Sequence, residues 1–216
     1  MDNSVYIERY EVQKDLYVYQ SLTKEECEAI LRYAIKAADL RWGQPGFKGT
    51  SKKKLKDAFF LGGCGETACA KLFGHKQSEL DFSVGGDARD YSHADLKSIG
   101  YEVGVKTSRY RLAPMVVLKD LWKDGRCGDE IFCTVFDEDI ERDEKGSIIS
   151  VKGVWINGLA TESKIKEFQS RDLIKDKDNP KYKDRAGFYG FDKLITFHDE
   201  ASRFVFDYFY SMKEAC

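Results

Sequence analysis

Hydrophobic residues recur at helical spacing in two parts of the first third of the chain. Thr23 and Glu26 have the spacing of a capping box and predict the start of a helix that extends to about Leu40. A second helix is predicted over Ala58–Phe73, although this segment contains three glycines. Because each glycine costs a helix up to about 1 kcal/mol relative to alanine, we expect these glycines to let the helix approach a sheet closely.

Alternating or continuous apolar runs predict strands in the rest of the chain. Residues 4–20 are expected to form one or two short strands or an arm laid on the core. The later strands are expected at Tyr101–Ser108, Met115–Leu118, Glu130–Phe136 and Ile148–Ile156, with a last edge segment at about Phe188–Ile195. Two more helices are predicted, a short one over Thr161–Phe168 and an aromatic one over Glu200–Lys213. The acidic run at residues 137–146 is interpreted as a solvated hairpin loop.

The composition is that of a globular protein rather than of a disordered chain. Hydrophobic residues make up 42% and aromatic residues 13% of the 216 positions, which is ample for a buried core. The net charge of −2 argues against a basic field over the whole molecule but allows a local basic patch. No signal peptide or long apolar span is found, and the six cysteines contain no CxxC pair. We therefore expect no membrane association, buried free cysteines and a reducing, cytoplasmic location.

A candidate reaction site begins at Asp95, which stands in a short strand-like piece. A turn around Gly100 follows, and the alternation of the next strand places Glu102, Gly104 and Lys106 on one face. A carboxylate and a lysine on one face of a hairpin can hold a divalent cation and position a scissile phosphate. The cation takes carboxylate oxygens and lowers the pKa of a bound water, and the lysine steadies the nucleophile or the charged transition state.

Two motifs in this chain resemble those of the PD-(D/E)XK nuclease superfamily, in particular of its small phage-borne members. The first motif is Asp95 with its hairpin and the VKTS sequence at residues 105–108. The second is GETACAKLFG at residues 65–74, which is similar to the GExAxAxxLG helix of that superfamily. The resemblance covers residues 55–195 and rests on the order of helix glutamate, hairpin aspartate and strand lysine.

The resemblance implies an α/β protein with a restriction-endonuclease-like core, in which helices flank a central mixed β-sheet. An N-terminal helical extension would occupy residues 1–50, and the core with its C-terminal helix would occupy residues 51–216. The resemblance also implies Mg²⁺- or Mn²⁺-dependent hydrolysis of phosphodiester bonds. In that family the counterparts of Glu66 and Asp95 are metal ligands, and the counterpart of Lys106 orients the attacking water.

The chain departs from the family pattern at Gly104, where the motif has Asp or Glu. Glu102 lies on the same strand face, about 6.5–7 Å away at the usual rise per residue. Two interpretations follow. Either Glu102 replaces the absent acid, so that Glu66, Asp95, Glu102 and Lys106 are catalytic and the three carboxylates bind the metal, or the metal site is broken.

Basic residues near both motifs are candidates for contacts with nucleic-acid phosphates. A Gly- and Lys-rich connector at residues 43–56 is either a solvated loop or an arm on the phosphate backbone. A serine and two arginines follow the strand lysine, and arginine binds phosphate in a forked geometry. The candidate nucleic-acid-binding residues are Lys52, Lys53, Lys54, Ser108, Arg109 and Arg111.

Two functions of different classes follow from this sequence. The first is a metal-dependent nuclease, with DNA favoured over RNA as the substrate. The second is a catalytically degenerate protein of the same fold that binds nucleic acid or a host defence protein, for example as a phage-encoded inhibitor. Either protein could be a homodimer, and the host cytoplasm is the expected location if the protein is phage-encoded.

Overall fold

The computed structural model of the chain describes residues 17–44, 47–83, 95–109, 128–163, 194–200, 202, 203 and 206, together with the backbone of residues 115–118 and 185–188. The strands are β1 (Val18–Ser21), β2 (Gly104–Ser108), β3 (Met115–Leu118), β4 (Glu130–Thr134), β5 (Ile140–Arg142), β6 (Ile148–Val151), β7 (Gly153–Ala160) and β8 (Arg185–Phe188). The helices are α1 (Lys24–Arg41) and α2 (Lys52–Leu72).

The central sheet has four strands in the order β1-β7-β4-β2. β7 pairs antiparallel with both β1 and β4, whereas β2 and β4 pair in parallel, so the sheet is mixed. Two small antiparallel sheets accompany it, one from β3 and β8 and one from β5 and β6. The predicted α/β class with a mixed central sheet is confirmed.

Helix α1 begins where its capping box predicts. Thr23 accepts a hydrogen bond from the backbone N–H of Glu26 at 3.2 Å, and the Glu26 carboxylate accepts one from the backbone N–H of Thr23 at 2.7 Å. The helix ends at Arg41 and buries Cys27, Ile30 and other small apolar residues along one face. The helical spacing of the apolar residues therefore predicts most of this buried face, but Ile35, which has the same spacing, is 46% exposed.

Helix α2 begins six residues before the predicted start, at Lys52 instead of Ala58. Ser51 caps it by accepting a hydrogen bond from the backbone N–H of Lys54 at 3.2 Å, and Leu55 in the first turn is buried. The Ser51 cap and the buried Leu55 side chain stabilise a helical first turn that includes the lysines. The prediction of a connector up to residue 56 was therefore wrong.

Helices α1 and α2 pack antiparallel, and α2 lies against the central sheet. Asp39 near the end of α1 pairs with Lys52 at 2.5 Å, and Glu26 near its start pairs with Lys71 at 3.0 Å. Gly65 is the point at which α2 approaches β2 most closely, because a Cβ there would overlap the Thr107 side chain. The expectation that glycines allow close approach to a sheet is confirmed.

One hydrophobic core joins the helices to the sheet. Apolar side chains of α1, α2, β2, β4 and β7 contribute to it, among them Ile30, Phe60, Val105, Ile131 and Ile156. The cysteines in the described part of the chain, Cys27, Cys64, Cys69 and Cys133, are free and buried, as expected of small apolar side chains. No helix in the described ranges is long and apolar enough to cross a lipid bilayer.

Three local predictions were wrong in detail. Asp95 lies in a turn that leads into a short 3₁₀ helix at Lys97–Ile99, not in a strand, and β2 begins only at Gly104. The predicted strand Ile148–Ile156 is interrupted at Lys152, whose backbone N–H donates to the Asp139 carbonyl at 2.9 Å, so β6 and β7 are separate. The acidic run is not wholly a loop, because β5 lies inside it and pairs with β6.

The three C-terminal predictions fall largely outside the described residues. Ser202, Arg203 and Phe206 are helical, in agreement with the predicted terminal helix. Residues beyond 163 of the predicted short helix lie outside the described ranges. Of the predicted last edge segment, Phe188 ends β8 and Ile195 forms an isolated antiparallel bridge with Leu159, and residues 189–193 lie outside the described ranges.

Candidate active site

Lys106 stands at the centre of a group of charged side chains on β2. Its Nζ lies 3.2 Å from Oε2 of Glu130 and 3.8 Å from Oδ2 of Asp95. The Lys106 side chain is 39% exposed, so its ammonium group faces the solvent as well as the two carboxylates. A phosphate arriving from the solvent could therefore reach this cation.

Asp95 is positioned by the backbone of the strand that carries Lys106. Its Oδ2 accepts a hydrogen bond from the backbone N–H of Val105 at 2.6 Å. The loop between them is closed by hydrogen bonds from the Leu96 N–H to the Val103 carbonyl and from the Tyr101 N–H to the Leu96 carbonyl. This tight loop replaces the predicted strand-like piece and still brings Asp95 beside Lys106.

Glu66 approaches the same place from helix α2. Burial raises the pKa of the Glu66 carboxyl to about 8, with a further increase from the negative charge of Asp95 and an opposing decrease from Lys106. Its Oε1 lies 3.9 Å from the position that a Cβ on Gly62 would take, one turn earlier in the helix. The charges of Asp95 and Lys106 are thus close enough to the Glu66 carboxyl to shift its pKa. The three residues are nevertheless far apart along the chain.

Glu130 is a site residue that the sequence analysis did not identify. It opens strand β4 and lies opposite Gly104 in the parallel pairing of β4 with β2. It is only 6% exposed, and burial is the main cause that raises the pKa of its carboxyl. Its Oε2 is buried, and its partner is the ammonium group of Lys106 at 3.2 Å. A glutamate at the head of the apolar run EIFCTVF was the available signal, but its pairing with Gly104 could not be read from the sequence.

Glu102 has different surroundings from Glu130. It is exposed and lies in the extended segment before β2. The carboxylates that the structure places at ion-pair distance from Lys106 are those of Asp95 and Glu130.

The candidate nucleic-acid-binding residues are spread over a wider surface. Lys52 pairs with Asp39, Lys53 donates to the carbonyl of Lys145 at 2.5 Å, and Lys54 is exposed, all in the first turn of α2. Ser108 ends β2. Arg109 lies 3.8 Å from Asp137, and Arg111 lies outside the described residues.

The donor chemistry of this group suits a hard divalent cation. Carboxylate oxygens are the ligands preferred by Mg²⁺ and Mn²⁺, and Glu130 contributes a buried carboxylate. Within the described ranges, no three His, Cys, Asp or Glu side chains are gathered closely enough to hold a metal ion. The cation between the Asp95 and Glu130 oxygens is the ammonium group of Lys106.

Comparison of the chain with protein-family models, with curated proteins and with solved structures gives no match. The functional interpretation therefore depends on the residues and their geometry.

Proposed function

We propose that this protein is a metal-dependent phosphodiesterase of the PD-(D/E)XK type, with a restriction-endonuclease-like core and nucleic acid, DNA rather than RNA, as its substrate. The observation that carries the proposal is that Asp95 and Lys106, 3.8 Å apart, lie near enough to the Glu66 carboxyl to shift its pKa. These residues come from a helix, a turn and a strand, and the charges of Asp95 and Lys106 both act on the Glu66 carboxyl. Their order and residue types match three of the four positions of the superfamily's signature.

The arrangement of elements also supports this proposal. α2 carries Glu66 across the sheet, and the close approach at Gly65 sets the helix directly over β2, the strand of Lys106. In the proposed core, α2 therefore carries the Glu66 carboxyl and β2 carries the Lys106 ammonium group to the same edge of the sheet.

Each residue in the site has a role that its surroundings allow. Asp95 and Glu66 would hold Mg²⁺ or Mn²⁺, which when bound polarises a phosphate oxygen and lowers the pKa of a water. The hydrogen bond from the Val105 N–H holds the Asp95 carboxylate in a fixed orientation. Lys106, partly exposed and flexible, would orient the water and stabilise negative charge that develops on the phosphate.

The proposal is tested by cleavage of a labelled DNA duplex and of a single strand with Mg²⁺ or Mn²⁺. We expect Asp95→Asn and Lys106→Ala each to lower the rate by about 100-fold or more, since loss of one charge-stabilising group at an active site costs about 10²–10³ in kcat. Lys97→Ala is the matched control, because it removes an exposed lysine from the loop between Asp95 and β2. Its expected rate is close to that of the wild type.

Two results would argue against the enzyme. Equal residual rates in the wild type and both variants would indicate a contaminating nuclease. Binding of DNA by the wild type without cleavage under any divalent metal would favour the binding protein of the same fold. Circular dichroism of each variant shows whether a lost rate reflects a lost fold.

A further inference from the structure

We propose that Glu130 supplies the carboxylate that the family motif has at Gly104, so that one metal ligand has moved to the neighbouring strand. This inference rests on the proposed function for the identity of the ligand it assigns. Glu130 would then act with Asp95, whose carboxylate also lies beside the Lys106 ammonium group, and Glu102 would have no part in the site.

The pairing of β2 with β4 places Glu130 directly beside Gly104. The two residues are register partners in this parallel pair, and the Gly104 N–H donates to the carbonyl of Asp129 at 3.0 Å. A Cβ built on Gly104 would lie 2.8 Å from Cδ and 3.0 Å from Oε1 of Glu130, and still closer to Oε2. The Glu130 carboxylate therefore occupies the space that a side chain at position 104 would need.

Glycine at position 104 thus leaves room for the Glu130 carboxylate in its observed place. Any larger residue would have to displace a buried carboxylate, because real Cβ atoms essentially never approach another heavy atom so closely. Glycine inside a strand is otherwise unfavourable and is typical of places where another group approaches the backbone. The glycine and the buried glutamate together account for the departure from the motif without loss of a carboxylate.

The burial of the Glu130 carboxylate supports the same assignment. A buried carboxylate costs free energy unless a cation compensates its charge. In the structure Lys106 supplies positive charge at 3.2 Å. A divalent cation shared with Asp95 would compensate the same oxygen and release Lys106 toward the substrate.

The alternative is that Glu130 and Lys106 form only a structural ion pair. Titration calorimetry with MnCl₂, in the absence of nucleic acid, separates these roles. We expect Glu130→Gln to weaken Mn²⁺ binding by at least about tenfold, since even outer-shell partners of metal ligands contribute about 10- to 100-fold. Glu102→Gln, which tests the rival ligand, should change the affinity less than twofold, and Glu141→Gln, at an exposed glutamate of β5, is the matched control. Unchanged Mn²⁺ affinity in a folded Glu130→Gln protein would overturn the inference.

A second test exchanges the side chains at positions 104 and 130 and compares the two single variants with the double variant. Gly104→Glu alone should lose Mn²⁺ affinity because the new side chain would overlap the Glu130 carboxylate. Glu130→Ala alone should lose Mn²⁺ affinity because it lacks that carboxylate. The double variant Gly104→Glu/Glu130→Ala should bind Mn²⁺ at least about tenfold more tightly than Glu130→Ala, a non-additivity expected for side chains in direct contact. A folded double variant that recovers no affinity would contradict the exchange.

These measurements distinguish this inference from the proposed function. If Mn²⁺ binding depends on Glu130 but no DNA is cleaved, the inference holds and the nuclease proposal fails. If DNA is cleaved and Mn²⁺ binding depends on Glu102 instead, the nuclease proposal holds and the inference fails. A wild-type protein that binds no Mn²⁺ overturns both.

Discussion

At the scale of single residues, Glu66 has the most unusual environment in the site. Burial and the neighbouring Asp95 raise the pKa of its carboxyl to about 8, from 4.5 in the unfolded chain. The folded state therefore binds a proton more tightly than the unfolded state between these two values. The contribution of the Glu66 carboxyl to the stability of the fold is therefore fully present below pH 4.5, and it is lost as the pH rises through 8. The proposed metal binding would require the ionised form, so the pH that weakens the metal-free fold would favour a metal complex.

This argument predicts the effect of Glu66→Gln on the pH dependence of stability. Urea unfolding at pH 5 and pH 8, without divalent metal, should show that the wild type loses at least about 1 kcal/mol more than the variant, since one pKa unit corresponds to about 1.4 kcal/mol. The variant removes a group that ionises within this interval while it keeps a side chain of the same shape. Parallel pH profiles of the two proteins would show that the carboxyl of Glu66 titrates normally.

At the scale of secondary-structure elements, the position of α2 on β2 depends on Gly65. A Cβ at this position would overlap Oγ1 of Thr107 and lie 3.1 Å from Cγ1 of Val105. Thr107 is β-branched and has few alternative rotamers, so the helix itself would have to move. Because Glu66 is the next residue in α2, such a movement would also shift its carboxylate relative to Lys106.

Gly65→Ala should therefore destabilise the protein by about 1–3 kcal/mol, the usual cost of overpacking a core. Gly62→Ala, one turn earlier in α2, is the control. Its new Cβ would make only an ordinary contact of 3.9 Å with Oε1 of Glu66, and the substitution should stabilise the helix by roughly 0.5–1 kcal/mol. Urea denaturation of both variants measures the difference, and equal effects would show that α2 does not depend on close approach at Gly65.

The elements also show how far the sequence could be interpreted. The cap and apolar face of α1 could be predicted because they depend on residues within one turn of each other. The start of α2 was missed because its first turn contains lysines and no acidic residue, contrary to the usual helix dipole preference. Glu130 was missed for a different reason. Its place in the site is set by the register of β2 with β4, and strand pairing is a long-range property that local patterns do not contain.

At the scale of the whole molecule, α2 connects the candidate reaction site to a basic surface. Lys52, Lys53 and Lys54 form its first turn, at the positive end of the helix dipole. At 1.5 Å per residue, Lys54 and Glu66 are about 18 Å apart along the helix axis. The lysines could therefore bind a phosphate several nucleotides away from the one that is cleaved, but not the scissile phosphate itself.

Replacing Lys52, Lys53 and Lys54 together with glutamate should therefore weaken DNA binding without changing the chemical step. Fluorescence anisotropy with a labelled duplex, over a range of salt concentrations, measures the effect. If all three lysines contact phosphates, the slope of log K against log salt should fall by up to about 2.7, at about 0.9 per contact. Replacing three other exposed lysines, Lys24, Lys36 and Lys76, alters the net charge equally and is the control. If both triple variants give the same slope, the lysines act only through net charge, and the first turn of α2 is not part of the nucleic-acid interface.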